Sequence, residues 1–278
     1  MGRALSAILS VRDVCKRYRV RQEADVVALE RCSLEVARNE FVVIVGPSGC
    51  GKTTLLNVIA GFDDPTEGEV HLGGSLIASA GRRASPGPDR MVVFQHGALF
   101  PWMRAIENVC LSPIARGQMS AAEARERAIG LMSRVGLGDM SDLYPEDMSS
   151  GMRRRLEIVR AIMGQPQILL MDEPFRALDA LTKSVVQEFL LKIYDNTPHT
   201  IFFITHDLLE AIFLADRVYV MTSRPGKVKK VMKVDLARPR STRLLNSPEF
   251  LRLKDELIDA VHEEALKAFE LGEREAAR

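Results

Sequence analysis

The sequence has no apolar run long enough to cross a bilayer. Its most hydrophobic stretches, residues 41–45, 168–171 and 201–204, are only a few residues long, whereas a spanning helix needs about 20 apolar residues. The apolar patch near the N-terminus is interrupted by Ser6 and followed at once by charge, so it is too short for the hydrophobic region of a signal peptide. We therefore expect a cytoplasmic protein that reaches a membrane only through partners.

An excess of charge of one sign is also absent. The 278 residues contain 38 Lys and Arg against 37 Asp and Glu, which leaves a formal net charge of +1. This balance gives no electrostatic footprint for nucleic acid or for anionic lipid. The 46% hydrophobic content allows a substantial core, so we predict a globular protein.

Cysteine is scarce and carries no metal or disulfide pattern. Cys15, Cys32, Cys50 and Cys110 form no CxxC pair and have no His at metal-ligand spacing, which makes disulfide and zinc interpretations weak. We interpret the four as reduced, mostly small apolar residues. Cys50 lies in a glycine-rich loop, where we expect alkylating reagents to reach it.

Strand and helix patterns alternate along the chain. We predict strands and a hairpin at residues 7–11, 26–29, 41–45, 69–77, 91–94, 167–171, 200–205 and 217–221. Helical periodicity indicates helices at residues 52–60, 121–135, 153–163, 181–194 and 208–215. The pattern predicts a parallel α/β sheet interrupted by a helical insertion over about residues 106–163.

The C-terminal tail is predicted to be one amphipathic helix, with Ser247 as N-cap and Pro248 in its first turn. Its predicted apolar face consists of Leu253, Leu257, Val261 and Ala265. The helix either packs on its own domain or makes a dimer or regulatory contact.

The segment GPSGCGKT, from Gly46 to Thr53, fits the pattern G-x-x-x-x-G-K-[ST] between a buried strand and a helix. Glycines let backbone N–H groups wrap phosphates, and the helix N-terminus adds positive potential. Lys52 is predicted to reach the β- and γ-phosphate oxygens and Thr53 to bind Mg²⁺. The whole predicted loop comprises Gly46, Pro47, Ser48, Gly49, Cys50, Gly51, Lys52, Thr53 and Thr54.

An apolar strand further on ends in two adjacent acids, Asp172 and Glu173. This arrangement suits an Asp that orders a metal shell and a Glu that activates water. Alone, paired acids after a strand could instead cap the next helix. Together with the phosphate loop, they favour nucleotide hydrolysis.

From Tyr18 to Met221 the chain resembles an ABC transporter nucleotide-binding subunit. The resemblance implies that Tyr18 stacks on adenine, where an aromatic face is worth about 1–3 kcal/mol. It implies that Gln95 senses the γ-phosphate, binds the metal and contacts the permease. Asp179 matches the loop that crosses to the other subunit, and His206 matches the switch histidine after a strand end.

The signature segment, Leu-Ser-Gly-Gly-Gln in the family, is Met-Ser-Ser-Gly-Met at residues 148–152. Ser149 and Gly151, which in the family contact the γ-phosphate bound by the opposite subunit, are retained. Ser150 stands where glycine is usual, and Arg176 stands where Gly or Ser is more frequent. These departures leave open a regulatory or adaptor subunit with weak turnover.

Residues 87–95, 99–103, 177–182 and 223–226 resemble the nitrate/sulfonate/taurine import branch. The branch implies transport of a small anion or related solute, without excluding another solute or export. Phe100, Pro101 and Trp102 are interpreted either as core packing or as a socket for a permease helix, and we favour the socket.

The resemblance implies a P-loop NTPase (RecA-like) α/β core with an antiparallel β-region and a helical subdomain. We place the ATPase domain at residues 1–238, its helical subdomain at about 96–165, and a C-terminal helical extension at 239–278. The implied cofactors are ATP and Mg²⁺. The implied partners are a second copy, two permeases and, indirectly, a solute-binding protein, at the cytoplasmic face of the membrane. A soluble ABC-type ATPase of translation or DNA maintenance is less consistent, because those classes carry duplicated cassettes or long coiled coils.

Overall fold

A computed structural model describes residues 7–19, 25–197 and 199–276. The first six residues, which include part of the N-terminal apolar patch, lie outside the described residues. The chain divides into two compact units, Met1–Gly87 with Thr197–Arg278, and Pro88–Asn196.

The first unit contains an antiparallel sheet in the order β2-β1-β4-β5. Its strands are β1 (Ala7–Tyr18), β2 (Val26–Ala37), β4 (Glu67–Leu72) and β5 (Ser75–Ser79). The first two are much longer than the β-branched runs predicted, because bulges between paired residues let the strands continue through charged positions. Asp13 and Arg31 have positive φ angles of 47° and 45° in these strands.

The first unit also contains strands in the order β10-β9-β3-β8. These are β3 (Phe41–Val45), β8 (Ile201–Ile204), β9 (Arg217–Met221) and β10 (Val228–Lys233). Strand β3 is buried at all five residues and runs parallel to β8 and β9. Two helices, α1 (Lys52–Ala60) and α6 (Leu208–Leu214), follow β3 and β8.

Sequence reasoning missed strand β10, which pairs antiparallel with β9. Its sequence, VKKVMK, buries only Met232 and is otherwise half-buried or exposed. Lysines are typical of edge strands, where their charge opposes pairing with a further strand. Because they interrupt the apolar pattern, the sequence did not predict this strand.

The second unit contains the parallel strand pair β6 (Arg90–Val93) and β7 (Ile168–Asp172). Its helices are α2 (Ala105–Ala115), α3 (Ala121–Arg134), α4 (Ser150–Met163) and α5 (Ala180–Asn196). The helical insertion is therefore confirmed. Helix α4 begins three residues before its predicted start because the Ser149 hydroxyl accepts a hydrogen bond from Met152 N–H at 3.2 Å.

The C-terminal helix α7 (Pro248–Ala276) is confirmed, with Ser247 accepting a hydrogen bond from Phe250 N–H at 3.2 Å. Its predicted face is partly wrong. Leu253 and Leu257 are buried, but Val261 is half-buried and Ala265 is exposed. The buried side instead includes Phe250 and Glu264. Glu264, a carboxylate with cationic partners, is therefore buried where the predicted face had placed its neighbour Ala265. The helix packs on α6 and β9 of its own unit.

Candidate nucleotide-binding site

The glycine-rich loop connects β3 to α1 and encloses the Lys52 ammonium group. Lys52 is 7% exposed, and its Nζ donates hydrogen bonds to the carbonyl oxygens of Gly46 and Pro47, both at 2.9 Å. Gly51 caps α1 with a φ of 102°, and a Cβ there would lie 2.7 Å from the Ala28 carbonyl oxygen. Only glycine fits this position, so the loop folds tightly at the helix N-terminus.

A turn after β9 is joined to β2 by backbone hydrogen bonds, and it lies so close to the loop that a Cβ on Gly226 would collide with the Cys50 carbonyl oxygen. Gly226 N–H donates to the Ala28 carbonyl at 3.0 Å, and Glu30 N–H donates to the Gly226 carbonyl at 3.1 Å. At the start of the turn, Ser223 N–H donates to a Glu264 carboxylate oxygen at 2.9 Å. The C-terminal helix is therefore tied to the turn that lies beneath the phosphate loop, a connection that the sequence did not reveal.

The structure contradicts the expected accessibility of Cys50. Its side chain points into the unit and the residue is 1% exposed. Burial raises the pKa of its thiol, although the nearby Lys52 ammonium acts in the opposite direction. Cys15, Cys32 and Cys110 are also buried and free of disulfides, and burial raises the pKa of Cys32 to about 12. The four therefore behave as small apolar side chains, and Cys50 is no exception.

Tyr18 ends β1 beside the start of α1. It is 38% exposed, and its hydroxyl donates a hydrogen bond to Asp63 at 2.8 Å. Lys16 Nζ lies 4.9 Å from the centre of its ring. Partial burial and the bond to Asp63 raise the pKa of Tyr18, and a hydrogen bond involving Thr54 lowers it. The ring is thus held in place next to the phosphate loop, with part of its surface open to solvent.

His206 follows β8 and is exposed. Its position is defined by neighbours on both sides, because Thr205 is 2% exposed and Asp207 caps helix α6. Asp207 accepts hydrogen bonds from Leu209 N–H at 2.9 Å and Glu210 N–H at 3.1 Å. A side chain at the carboxyl end of a parallel strand is well placed to meet a ligand.

In the second unit, Asp172 is the last residue of the buried strand β7 and Glu173 follows it. Asp172 is 8% exposed. Glu173 adopts a φ of 41°, an uncommon left-handed conformation for a non-glycine residue. Its carboxylate accepts a hydrogen bond from Arg176 Nη1 at 3.2 Å. The backbone therefore turns at Glu173, and the chain leaves the direction of strand β7 at this residue.

The loop that carries Gln95 is held by a buried ion pair on α4. Arg154 donates to the carbonyl oxygens of Phe94 and Gln95, both at 2.8 Å, and to Glu157 at 2.6 Å. Glu157 also accepts from Ala98 N–H at 2.9 Å. Sequence reasoning missed this pair, because an Arg and a Glu three residues apart usually mark a solvated helix face.

The aromatic loop at residues 99–103 is held by hydrogen bonds but keeps its tryptophan exposed. The fully buried Asn108 accepts from Phe100 N–H at 2.8 Å and donates to the Phe100 and Met103 carbonyls at 3.1 and 3.0 Å. The Arg160 guanidinium lies 5.2 Å from the centre of the Phe100 ring. Trp102 is 70% exposed, so core packing does not account for it.

The signature segment begins helix α4. Ser149 and Ser150 are exposed and Gly151 is buried, and a Cβ on Gly151 would collide with the Thr182 methyl group of α5. Asp179 caps α5 by accepting a hydrogen bond from Thr182 N–H at 3.0 Å, which holds the pKa of its carboxyl below the usual value.

The predicted site residues are thus distributed between the two units. The first unit carries the phosphate loop, Tyr18 and His206, and the second carries Gln95, Asp172, Glu173, Asp179, Ser149 and Gly151. Within each unit they follow strand ends or begin helices. Their contacts with nucleotide and metal remain predictions.

Residues 29–176 match the family model described as ABC transporter. The chain belongs to this family. An uncharacterized ABC transporter ATP-binding protein of Methanocaldococcus jannaschii is 44% identical over 87% of each chain. The bicarbonate transport ATP-binding protein CmpD of Synechocystis sp. is 42% identical over 92% of this chain and 90% of its own. The nitrate import ATP-binding protein NrtD of Synechococcus elongatus is 41% identical over 85% of each.

Among solved structures, the chain is similar to a dimer of the ATP-binding cassette MJ0796 bound to ADP and Pi. The identity is 31% and the TM-score 0.68, over 82% of this chain and all of that one. The predicted ABC ATPase fold is therefore confirmed. The chain is the ATP-binding, ATP-hydrolysing subunit of an ABC transporter. Within its described residues, no helix has the length and apolar content required to span a membrane.

Proposed function

We propose that this ABC ATPase powers the import of a small anion through two membrane permeases. The observation that carries the proposal is the similarity to two relatives named for bicarbonate transport and nitrate import, each over at least 85% of both chains. Sulfonates and the related solute taurine are further candidate substrates. The chain would act at the cytoplasmic face of the membrane, held there by the permeases.

The residues of the first unit fit a nucleotide polyphosphate. A tight loop at a helix N-terminus and a buried ammonium group already held by loop carbonyls form a donor set suited to phosphate oxygens. We assign Lys52 to the β- and γ-phosphates, Thr53 to the magnesium ion and Tyr18 to the adenine ring. The remaining loop residues, Gly46 to Gly51 and Thr54, would contribute mainly backbone N–H groups.

The acids of the second unit fit a divalent cation and a water molecule. Asp172 and Gln95 offer oxygen ligands of the kind that Mg²⁺ prefers, alongside phosphate oxygens. Bound magnesium would neutralise phosphate charge during hydrolysis. We assign Glu173 to the polarisation of the attacking water and His206 to the γ-phosphate.

We further propose a head-to-tail homodimer in which Ser149 and Gly151 of one chain contact the γ-phosphate held by Lys52 of the other. Ser149 begins a helix, where N–H groups and the helix dipole favour an anion, and Asp179 would cross to the second copy. The catalytic domain is assigned to residues 1–238, with its helical subdomain at about 96–165, and the C-terminal extension to 239–278.

Replacing Glu173 with Gln tests the catalytic assignment and the dimer together. Gln keeps the size of the side chain but cannot accept the proton, so ATP should bind without cleavage and join two chains. Size-exclusion chromatography with light scattering should show a stable dimer with ATP but not with ADP. Adding Lys52→Ala should abolish that dimer. Wild-type hydrolysis by a Glu173→Gln protein that stays monomeric with ATP would refute both assignments.

The permease contact is assigned to the aromatic loop at residues 99–103. A loop that is held by hydrogen bonds from Asn108 and exposes 70% of a tryptophan has the features of an interface anchor. Trp102→Ala should therefore retain ATP hydrolysis by the isolated subunit and lose its stimulation by the permeases. Equal stimulation of both proteins would remove the loop from the interface.

The solute assignment is tested by uptake. Disruption of the gene should impair growth when one small anion, such as bicarbonate, nitrate or a sulfonate, is the limiting nutrient. Normal growth on all candidates with loss of an export phenotype would overturn it.

A second candidate function is that of an adaptor ATPase with weak turnover, which is favoured by Ser150 and Arg176. Measuring phosphate release by the purified dimer separates the two candidates.

A further inference from the structure

A short turn after β7 joins Glu173 to Arg176 by both backbone and side chain. Arg176 N–H donates to the Glu173 carbonyl at 3.2 Å, and Arg176 Nη1 donates to Glu173 Oε2, also at 3.2 Å. Two hydrogen bonds, one of the backbone and one of the side chains, therefore join the same two residues.

The two side chains differ in solvent exposure. The Glu173 side chain is 14% exposed and that of Arg176 is 58% exposed. Phe175, between them, is 1% exposed and anchors the turn, and Leu178 N–H donates to the Phe175 carbonyl at 3.2 Å. The mostly buried carboxylate is thus held by a guanidinium that remains largely in solvent.

This contact competes with the role assigned to the carboxylate. To polarise water, Glu173 must accept a hydrogen bond from that water with the correct orientation. A guanidinium bound to one of its oxygens orients the carboxylate along the turn and occupies an acceptor site.

We propose that Arg176 is a positioning residue that restrains the Glu173 carboxylate, so that each hydrolytic cycle must first release this ion pair. The inference rests on the proposed role of Glu173 in activating water. Arg176 would then limit the rate of hydrolysis without contributing to ATP affinity, because it holds the catalytic group and not the nucleotide.

The size of the effect follows from the exposure of the pair. Ion pairs with one solvent-exposed partner are weak and are screened by salt. Release of such a restraint corresponds to an increase of about two- to five-fold in kcat. An increase of that size is measurable in steady-state phosphate release.

The test compares Arg176→Ser with Arg176→Lys and the wild type in the full-length purified protein. Arg176→Ser should raise kcat by about two- to five-fold with an unchanged KM for ATP. Arg176→Lys, which keeps a cation and a donor, should return kcat toward the wild-type value. Raising the salt concentration should increase the wild-type rate relative to that of Arg176→Ser and reduce the difference between them.

Two controls separate this inference from its foundation. Arg12→Ala removes another exposed arginine with an acidic partner, Glu69 at 3.4 Å, and should leave kcat unchanged. Glu173→Gln, alone or with Arg176→Ser, should be inactive if Glu173 activates water. If Glu173→Gln is inactive but Arg176→Ser has a wild-type or lower kcat, the restraint is refuted while the proposed function stands. If Glu173→Gln remains active, the proposed catalytic role of Glu173 fails, and the restraint fails with it.

Discussion

Glu264 on the C-terminal helix offers the sharpest test of how this structure is stabilised. Its side chain is 3% exposed, and its carboxylate accepts hydrogen bonds from Ser223 N–H and Lys267 Nζ, both at 2.9 Å. Lys229 Nζ lies 3.0 Å away. Replacing Glu264 with Gln keeps the shape and an acceptor for Ser223, but removes the charge that faces two ammonium groups.

The magnitude follows from the pKa of this carboxyl. Burial alone raises the pKa, but the hydrogen bond from Ser223 and the two lysines outweigh burial and lower it from 4.5 to about 2. Each pKa unit corresponds to about 1.4 kcal/mol. The ionised carboxylate therefore contributes about 3 kcal/mol to the free energy of unfolding at neutral pH.

The sign of the pH dependence is set by the depressed pKa. A carboxyl with a lower pKa in the folded state stabilises that state above its unfolded pKa, and this stabilisation declines as the pH falls toward the folded pKa. The contribution of Glu264 should be complete at neutral pH, decrease by about 1 kcal/mol at pH 4 and disappear below pH 2. The stability difference between wild type and Glu264→Gln should shrink over the same range.

Urea unfolding followed by circular dichroism measures this difference at several pH values. Glu263→Gln is a matched control, because Glu263 pairs with the same Lys229 and Lys267 but is 58% exposed. Solvent weakens exposed pairs, so the control should change stability much less. Equal effects of the two substitutions, or a Glu264 effect that does not decrease in acid, would refute the reasoning.

Two further predictions concern the site. Tyr18→Ala should weaken ATP affinity several-fold while leaving kcat nearly unchanged, because stacking stabilises ground and transition states alike; unchanged affinity in a fluorescent-nucleotide titration would remove Tyr18 from the site. Gly151→Ala should lower both thermal stability and ATPase activity, because the new methyl group collides with that of Thr182. Adding Thr182→Ser, which removes the opposing methyl group, should restore much of the loss, and failure of this rescue would assign the defect to another cause.

The sequence by itself determined the elements and motifs that depend on neighbours along the chain. Strand β3, helix α1 and strand β9 have the predicted bounds, Phe41–Val45, Lys52–Ala60 and Arg217–Met221. Each is a short apolar run or a helical pattern with Gly, Pro or Ser within a few residues of at least one end. The phosphate loop could be located for the same reason, since its chemistry lies within eight consecutive residues, Gly46 to Thr53.

Only the tertiary structure decided which charged residues are buried and what they hold. Arg154, Glu157 and Glu264 look like solvated helix residues in the sequence, yet each is less than 9% exposed. Besides near neighbours, they bind groups far along the chain: Glu157 accepts from Ala98 N–H, 59 residues away, and Glu264 accepts from Ser223 N–H, 41 residues away. Such distant partners leave no periodic pattern in the sequence. Whether a charged side chain is buried depends on which other segments of the chain pack against it. Arg176 could be recognised as unusual from the sequence alone. Its contact with Glu173 could not, because that contact depends on the conformation of the turn between them.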